Sequence, residues 1–139
     1  MKRRALMLAA GVALLPPARA TPEAMAAAIR SFTGGAPLRE GKVQLEVAPL
    51  VDNGNTVPVA ISVPGAPAAE VAALALFNER NPQSDVLRVD FGPRAATRSV
   101  STRIRLATSQ QLVAVARLAD GSCWSQRVEV VVTLAACIE

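Results

Sequence analysis

Gln111-Leu112-Val113-Ala114-Val115-Ala116-Arg117-Leu118 runs into Ala119-Asp120-Gly121-Ser122 and leaves it as Cys123-Trp124-Ser125-Gln126-Arg127-Val128-Glu129-Val130-Val131-Val132-Thr133-Leu134. Asp-Gly between two apolar runs is a strong hairpin signal, because both residues tolerate the backbone angles that a tight reversal needs. The second run puts Trp124, Val128, Val130, Val132 and Leu134 on one parity and Cys123, Arg127 and Glu129 on the other. Side chains alternate faces along a strand, so this pattern predicts one dry face and one wet one. Trp124 is expected in the core and Cys123 on the wetter side.

The same period of two recurs upstream. Val43, Leu45 and Val47 alternate with Gln44 and Glu46, and Val57, Val59, Ile61 and Val63 with Pro58, Ala60 and Ser62. Leu74 to Phe77 is a short apolar run; Leu87, Val89 and Phe91 alternate with Arg88 and Asp90; Val100, Ile104 and Leu106 face away from Ser101, Arg103 and Arg105. Asp52-Asn53-Gly54-Asn55, Pro64-Gly65-Ala66-Pro67, Asn81-Pro82 and Gly92-Pro93 break the pattern, as turn residues do. About seven short strands so separated predict an all-β fold, a β-sandwich of immunoglobulin-like type.

One helix precedes them. Thr21 suits an N-cap, Pro22 the first helical position and Glu23 the positive end of the helix dipole, while Gly34-Gly35 marks the stop. Met25, Ala28, Ile29 and Phe32 share one side at helical spacing, which predicts a short helix over Pro22–Ser31 packed on the sandwich.

The chain opens with Lys2-Arg3-Arg4, an apolar run from Ala5 to Leu15, and Ala18-Arg19-Ala20. A basic stretch, a short apolar stretch and a small-x-small site read as a secretory signal, and the run is too short for a membrane span. Arg3-Arg4 fits the twin-arginine route as well as the general one. The expected division is a signal over 1–20, the helix over 21–36, the sandwich over 37–134 and an arm over 135–139, with the mature protein in the periplasm. Removing residues 1–20 takes four basic residues and no acidic ones, so the full chain's net charge of +4 becomes 11 basic against 11 acidic residues. A neutral balance supplies no footprint for nucleic acid or for an anionic membrane surface.

The 139 residues contain no histidine and no tyrosine. A histidine base, a serine–histidine triad and histidine-containing metal sites are thereby excluded. Isolated glycines form no phosphate cradle, and two cysteines thirteen residues apart are not a zinc pattern. No cofactor is implied. A Cys123–Cys137 disulfide is opposed by geometry, since a continuous strand from 123 to 134 spans roughly 36 Å and three more residues retrace only about 10 Å. Cys137 is expected to be a free or modified thiol in Ala135-Ala136-Cys137-Ile138-Glu139, five residues with a reach of roughly 17 Å if they project free.

Asn53-Gly54-Asn55-Thr56-Val57-Pro58-Val59, Phe77-Asn78-Glu79-Arg80-Asn81-Pro82, Ser101-Thr102-Arg103-Ile104-Arg105-Leu106-Ala107, Gln110-Gln111-Leu112-Val113-Ala114-Val115-Ala116, and Asp120-Gly121 with Trp124 follow in an order that resembles the SoxY family. Members of that family are sulfur-carrier subunits of the periplasmic Sox sulfur-oxidation system. The resemblance implies a non-enzymatic carrier whose terminal cysteine, Cys137 by position, bears thiosulfate-derived intermediates covalently. It implies a heterodimer with a SoxZ-like subunit, and as further partners the cytochrome SoxAX, the hydrolase SoxB and in some organisms SoxCD. The family's best-known members end in Gly-Gly-Cys-Gly-Gly. Here Ala135, Ala136, Ile138 and Glu139 flank the cysteine, which predicts a stiffer and bulkier arm. Either the partners have wider clefts or the protein serves a different sulfur pathway.

Glu139 and the terminal carboxylate lie two residues from Cys137, and the nearest cation in sequence is Arg127. Nearby anions disfavour a thiolate, so Cys137 is expected to titrate at or above an ordinary cysteine and to gain reactivity from a partner's active site. The position of Cys123 is commonly aromatic in the family; it reads as a small hydrophobe, or as a resolving thiol between chains. Two other functions stay open beside the carrier: a non-catalytic scaffold or partner-binding module, and a two-cysteine thiol redox protein.

Overall fold

The computed structural model describes residues 20–136. Residues 1–19 of the expected signal, and Cys137, Ile138 and Glu139 of the arm, lie outside them.

Helix α1 (Pro22–Thr33) begins where Thr21 Oγ1 accepts the Ala24 N–H at 3.1 Å and ends at Gly34, whose φ of 65° is the left-handed cap glycine favours. It runs two residues beyond the expected end. Nine strands follow: β1 (Leu38–Glu40), β2 (Gln44–Glu46), β3 (Leu50–Asn53), β4 (Val57–Ser62), β5 (Val71–Asn78), β6 (Asp85–Asp90), β7 (Val100–Ile104), β8 (Gln110–Leu118) and β9 (Cys123–Leu134), with a 3-10 turn at Ala68–Glu70. The all-β sandwich with a short N-terminal helix is therefore present. Its strand number exceeds the expected seven or so because β1 and β3 are too short to show a period.

The larger sheet has the order β1-β9-β8-β5-β6, with β3 also on β9; the smaller is β2-β4-β7. The β8–β9 hairpin pairs Arg117 with Cys123 and turns at Gly121, whose φ is 85°. Both β1 and β3 pair parallel with β9, β1 at its start (Leu38 beside Cys123) and β3 at its end (Leu50 beside Val131).

Between the sheets lies a core of Val57, Ile61, Leu74, Leu76, Leu106, Leu112 and Val130, all at or below 1% exposure. The far side of β5 and β8 is not solvated. Met25, Ile29 and Phe32 of α1 pack there on Ala73, Ala75, Phe77, Val113 and Val115. Strands covered on both faces read as unbroken apolar runs instead of alternating ones, which is why the run at Leu74–Phe77 proves to be the middle of an eight-residue strand.

The expected wet position of Cys123 is corrected by its burial. The residue is fully buried, on the face it shares with Arg117, its neighbour across the hairpin. Parity separates a wet from a dry face only where one face is wet, and near the hairpin neither is. Trp124 packs against the inter-sheet core while remaining partly exposed, with Lys42 Nζ 4.4 Å and the Arg39 guanidinium 5.7 Å from its ring centre.

The helix is fastened at its C-terminal end. The Phe32 ring lies edge-on to Phe77 with centroids 6.0 Å apart, and the guanidinium groups of Arg88 and Arg117 sit 5.3 and 5.2 Å from its centre. Asp90 accepts from both arginines, at 2.9 Å from Arg88 and 3.2 Å from Arg117, and Arg117 also donates to the Phe32 carbonyl at 3.1 Å. The hydrogen bond from Arg88, with the positive charges of Arg88 and Arg117, holds the Asp90 carboxyl below its usual range. A depressed folded-state pKa contributes stability that is present above the unfolded-state pKa and is lost as pH falls through the folded-state one. With the Asp90 side chain 54% exposed, solvent screening limits the effect. Asp90→Asn should lower the unfolding free energy by about 0.5 kcal/mol at neutral pH, with the difference from the parent lost in acid as pH falls through the lowered Asp90 pKa. Urea unfolding at neutral and at acid pH checks this, and a difference that survives in acid would assign the effect to something other than the carboxylate.

Candidate functional site

The site is the end of β9 and the two loops that receive it. β8 begins at Gln110 opposite Val130, so the last four residues of β9 extend past their antiparallel neighbour. Ser109 takes over one edge, where its Oγ accepts the Val132 N–H at 2.8 Å. On the other edge β3 pairs Leu50, Val51 and Asn53 with Val131, Val132 and Leu134, and Thr133 Oγ1 donates to the Asp52 carbonyl at 3.0 Å. Strand order is thus maintained where the main hairpin can no longer supply it.

Beyond Leu134 the chain stays on the body. The Gly54 N–H donates to the Leu134 carbonyl at 2.7 Å, the Leu106 N–H to the Gly54 carbonyl at 2.8 Å, and the Ala136 N–H to the Leu106 carbonyl at 3.0 Å. Ala135 is exposed and Ala136 half-buried. The described chain is bonded to the body up to the residue before Cys137, so its first two arm residues do not project. Only glycine fits at position 54: an added Cβ would stand 2.5 Å from the Leu106 carbonyl oxygen and 3.0 Å from the Ala136 nitrogen.

Leu106 is itself held from its other side. The Asn81 side chain donates to the Arg105 carbonyl at 2.8 Å and accepts the Ala107 N–H at 3.0 Å, while Gln110 Nε2 donates to the same Asn81 oxygen at 2.8 Å. Asn81 is 9% exposed, and a buried amide satisfied in this way is rigid. The backbone at 105–107 therefore turns residues 105 and 107 toward Asn81, and Leu106 toward Gly54 and the end of the chain. Sequence reading marked Asn53-Gly54-Asn55 and Asn81-Pro82 as turns. It missed their contact with the arm, because those partners lie far apart along the chain.

Cys137, Ile138 and Glu139 lie outside the described residues. Cys123 is a free thiol, and burial pushes its pKa up, with Arg117 opposing the shift and Asp120 adding to it. It stands at the opposite end of twelve unbroken strand residues from the arm, a span of roughly 36 Å. The structure brings no second thiol to the arm among the described residues. Nor does it hold there any group of three or more histidine, cysteine, aspartate or glutamate side chains placed to bind a metal.

The family model for sulfur oxidation protein SoxY matches residues 29–137. No curated protein matches the chain. Among solved structures, the sulfur carrier protein SoxY from Chlorobium limicola f thiosulfatophilum aligns with a TM-score of 0.69 and 26% identity, over 82% of this chain and 100% of that one. A superoxide reductase (neelaredoxin) from Ignicoccus hospitalis aligns with a TM-score of 0.56 and 21% identity, covering 81% of this chain and 94% of its own. One from Nanoarchaeum equitans reaches 0.54 at 13% identity, over 68% and 100%. These two share the fold alone.

Gly54→Ala tests the arm's seat. The clash is with main chain, which cannot swing aside, and should cost on the order of 1–3 kcal/mol of stability. Amide exchange at Ala136 should quicken more than exchange in β5 or β8. Unchanged stability with unchanged protection at Ala136 would show that the seat is not the tight contact described.

Proposed function

Since the chain belongs to the SoxY family of sulfur oxidation proteins, we propose that it is a periplasmic sulfur carrier that binds thiosulfate-derived intermediates covalently on Cys137. It acts as a substrate for other enzymes and catalyses no step itself. The observation that carries this reading is the family match running through residue 137, which includes Cys137. The alternative of a two-cysteine redox protein is weakened by the burial of Cys123 at the far end of β9.

The seat of the arm gives the proposal a shape. With Ala136 bonded to Leu106, a partner's active site that acts on the next residue has to approach the loops at 53–56 and 105–109. A SoxZ-like subunit is the proposed obligate partner. SoxAX, SoxB and SoxCD are the proposed enzymes that load and process the sulfur. Among the described residues the large hydrophobics that stand exposed are Leu50 at 59%, Val131 at 53% and Leu134 at 59%. All three lie on β3 and β9, with Leu50 and Val131 side by side in register. Such a patch suits a permanent neighbour.

Intact-protein mass spectrometry of material purified without reductant, together with its co-expressed SoxZ-like subunit, tests the proposal. Sulfane or thiosulfonate adducts should appear on the parent, map to Cys137 and disappear in Cys137→Ser. Thiosulfate oxidation that survives in Cys137→Ser would leave a scaffold in place of a carrier.

A further inference from the structure

Four asparagines occur in the chain, at 53, 55, 78 and 81. An asparagine loses its amide when the backbone nitrogen of the next residue attacks its side-chain carbonyl and closes a five-membered imide. Glycine in the following position hinders that approach least, since it has no Cβ and the widest backbone freedom. Asn53-Gly54 is the only asparagine–glycine pair in the sequence. Asn81 precedes proline, whose nitrogen carries no hydrogen, and Asn55 precedes β-branched Thr56. Asn78 is 1% exposed, and its amide donates to the Gln83 carbonyl at 2.8 Å.

The fold holds this reactive pair at both atoms. The attacking nitrogen, that of buried Gly54, donates its hydrogen to the Leu134 carbonyl at 2.7 Å. The carbon it would attack belongs to exposed Asn53, whose Oδ1 accepts from the Asn55 N–H and from Asn55 Nδ2, both at 3.0 Å. Ring closure needs the Gly54 nitrogen without its proton and turned toward the Asn53 side chain, so the bond to Leu134 has to open first. That bond is one link of the seat at residues 134–136: the Gly54 carbonyl accepts the Leu106 N–H at 2.8 Å, and the Leu106 carbonyl holds the Ala136 N–H at 3.0 Å. The segment from Leu134 to Ala136 is therefore the guard on this reaction.

We propose that Asn53 is a deamidation site whose rate is set by how often residues 134–136 leave their seat, and that reaction there loosens the seat for good. In the first step the Gly54 nitrogen bonds to Asn53 Cγ and ammonia leaves with Nδ2. Water then opens the imide at one carbonyl or the other, giving aspartate or isoaspartate. Overall one amide and one water become one carboxylate and one ammonium, with no oxidant or reductant involved. The isoaspartyl product carries an additional methylene in the main chain immediately before Gly54. A main chain so lengthened cannot keep residue 53 in register with Leu134 while Gly54 bonds both Leu134 and Leu106. The inference goes beyond the carrier reading and does not depend on it.

The test incubates the purified protein at mildly alkaline pH and follows Asn53 by peptide mapping, which separates products at 53 from isoaspartate formed at Asp120-Gly121. The same protein held in denaturing urea sets the unguarded rate, and Asn53 in the folded protein should react at least about tenfold more slowly. Ala136→Pro removes the N–H that bonds Leu106 and should quicken the folded-state reaction by about three- to tenfold, the range that loss of one backbone hydrogen bond gives. Thr133→Val is a milder cut at the same end of β9: it keeps the side chain's shape, loses the 3.0 Å bond to the Asp52 carbonyl, and should quicken the reaction by about twofold. Equal rates in folded and urea-held protein, or no acceleration in either variant, would overturn the proposal. The isoaspartyl-53 fraction of aged protein should exchange its Ala136 amide faster than the parent does, and unchanged protection there would overturn the link from the modification to the seat.

Discussion

One strand, β9, imposes its order on the molecule. It is twelve residues long, bonds to β8 along one edge and to β1 and then β3 along the other. The last of these contacts hands the chain to Gly54 and Leu106. A strand held on both edges has few ways to fray, and the bonds that follow it hold the described chain as far as Ala136. Everything proposed about the sulfur group depends on that hold on Ala136.

The second constraint is that the larger sheet is covered twice. The small sheet takes one face and α1 takes the other, so β5 and β8 are apolar on both sides and alanines at 73, 75, 114 and 116 let the layers come close. The charged groups are pushed to the borders, where they do structural work around Phe32 and Trp124. Proteins similar to this one in fold include a sulfur carrier and superoxide reductases, so the sandwich does not choose a chemistry. What stands at its rim does.

Much of this was legible in the residues. The caps of α1, the Asp120-Gly121 reversal and the alternating runs of β4, β6 and β9 are local signals, and each appears in the structure. β1 and β3 were hidden because three or four residues carry no period and their parallel pairing with β9 is long-range. Cys123 was expected to be wet and is buried, because alternation assigns a face without saying whether that face is covered. The seat of the arm was invisible for a different reason: a peptide N–H bonded to a peptide C=O leaves no mark on side-chain identity.

That last feature reaches beyond the fold. Because the body grips the arm through the main chain at position 136 and leaves its side chain out of the bond, most residue types can occupy that place without loosening the hold. Proline, which has no N–H to give, is the one exception. Lineages can therefore drift from glycine to alanine just ahead of the thiol while the anchorage stays in place, so tail composition is a poor guide to where the tether begins. The invariant to look for among relatives is a glycine that faces the chain end, as Gly54 does here, far away in the alignment from the cysteine it serves.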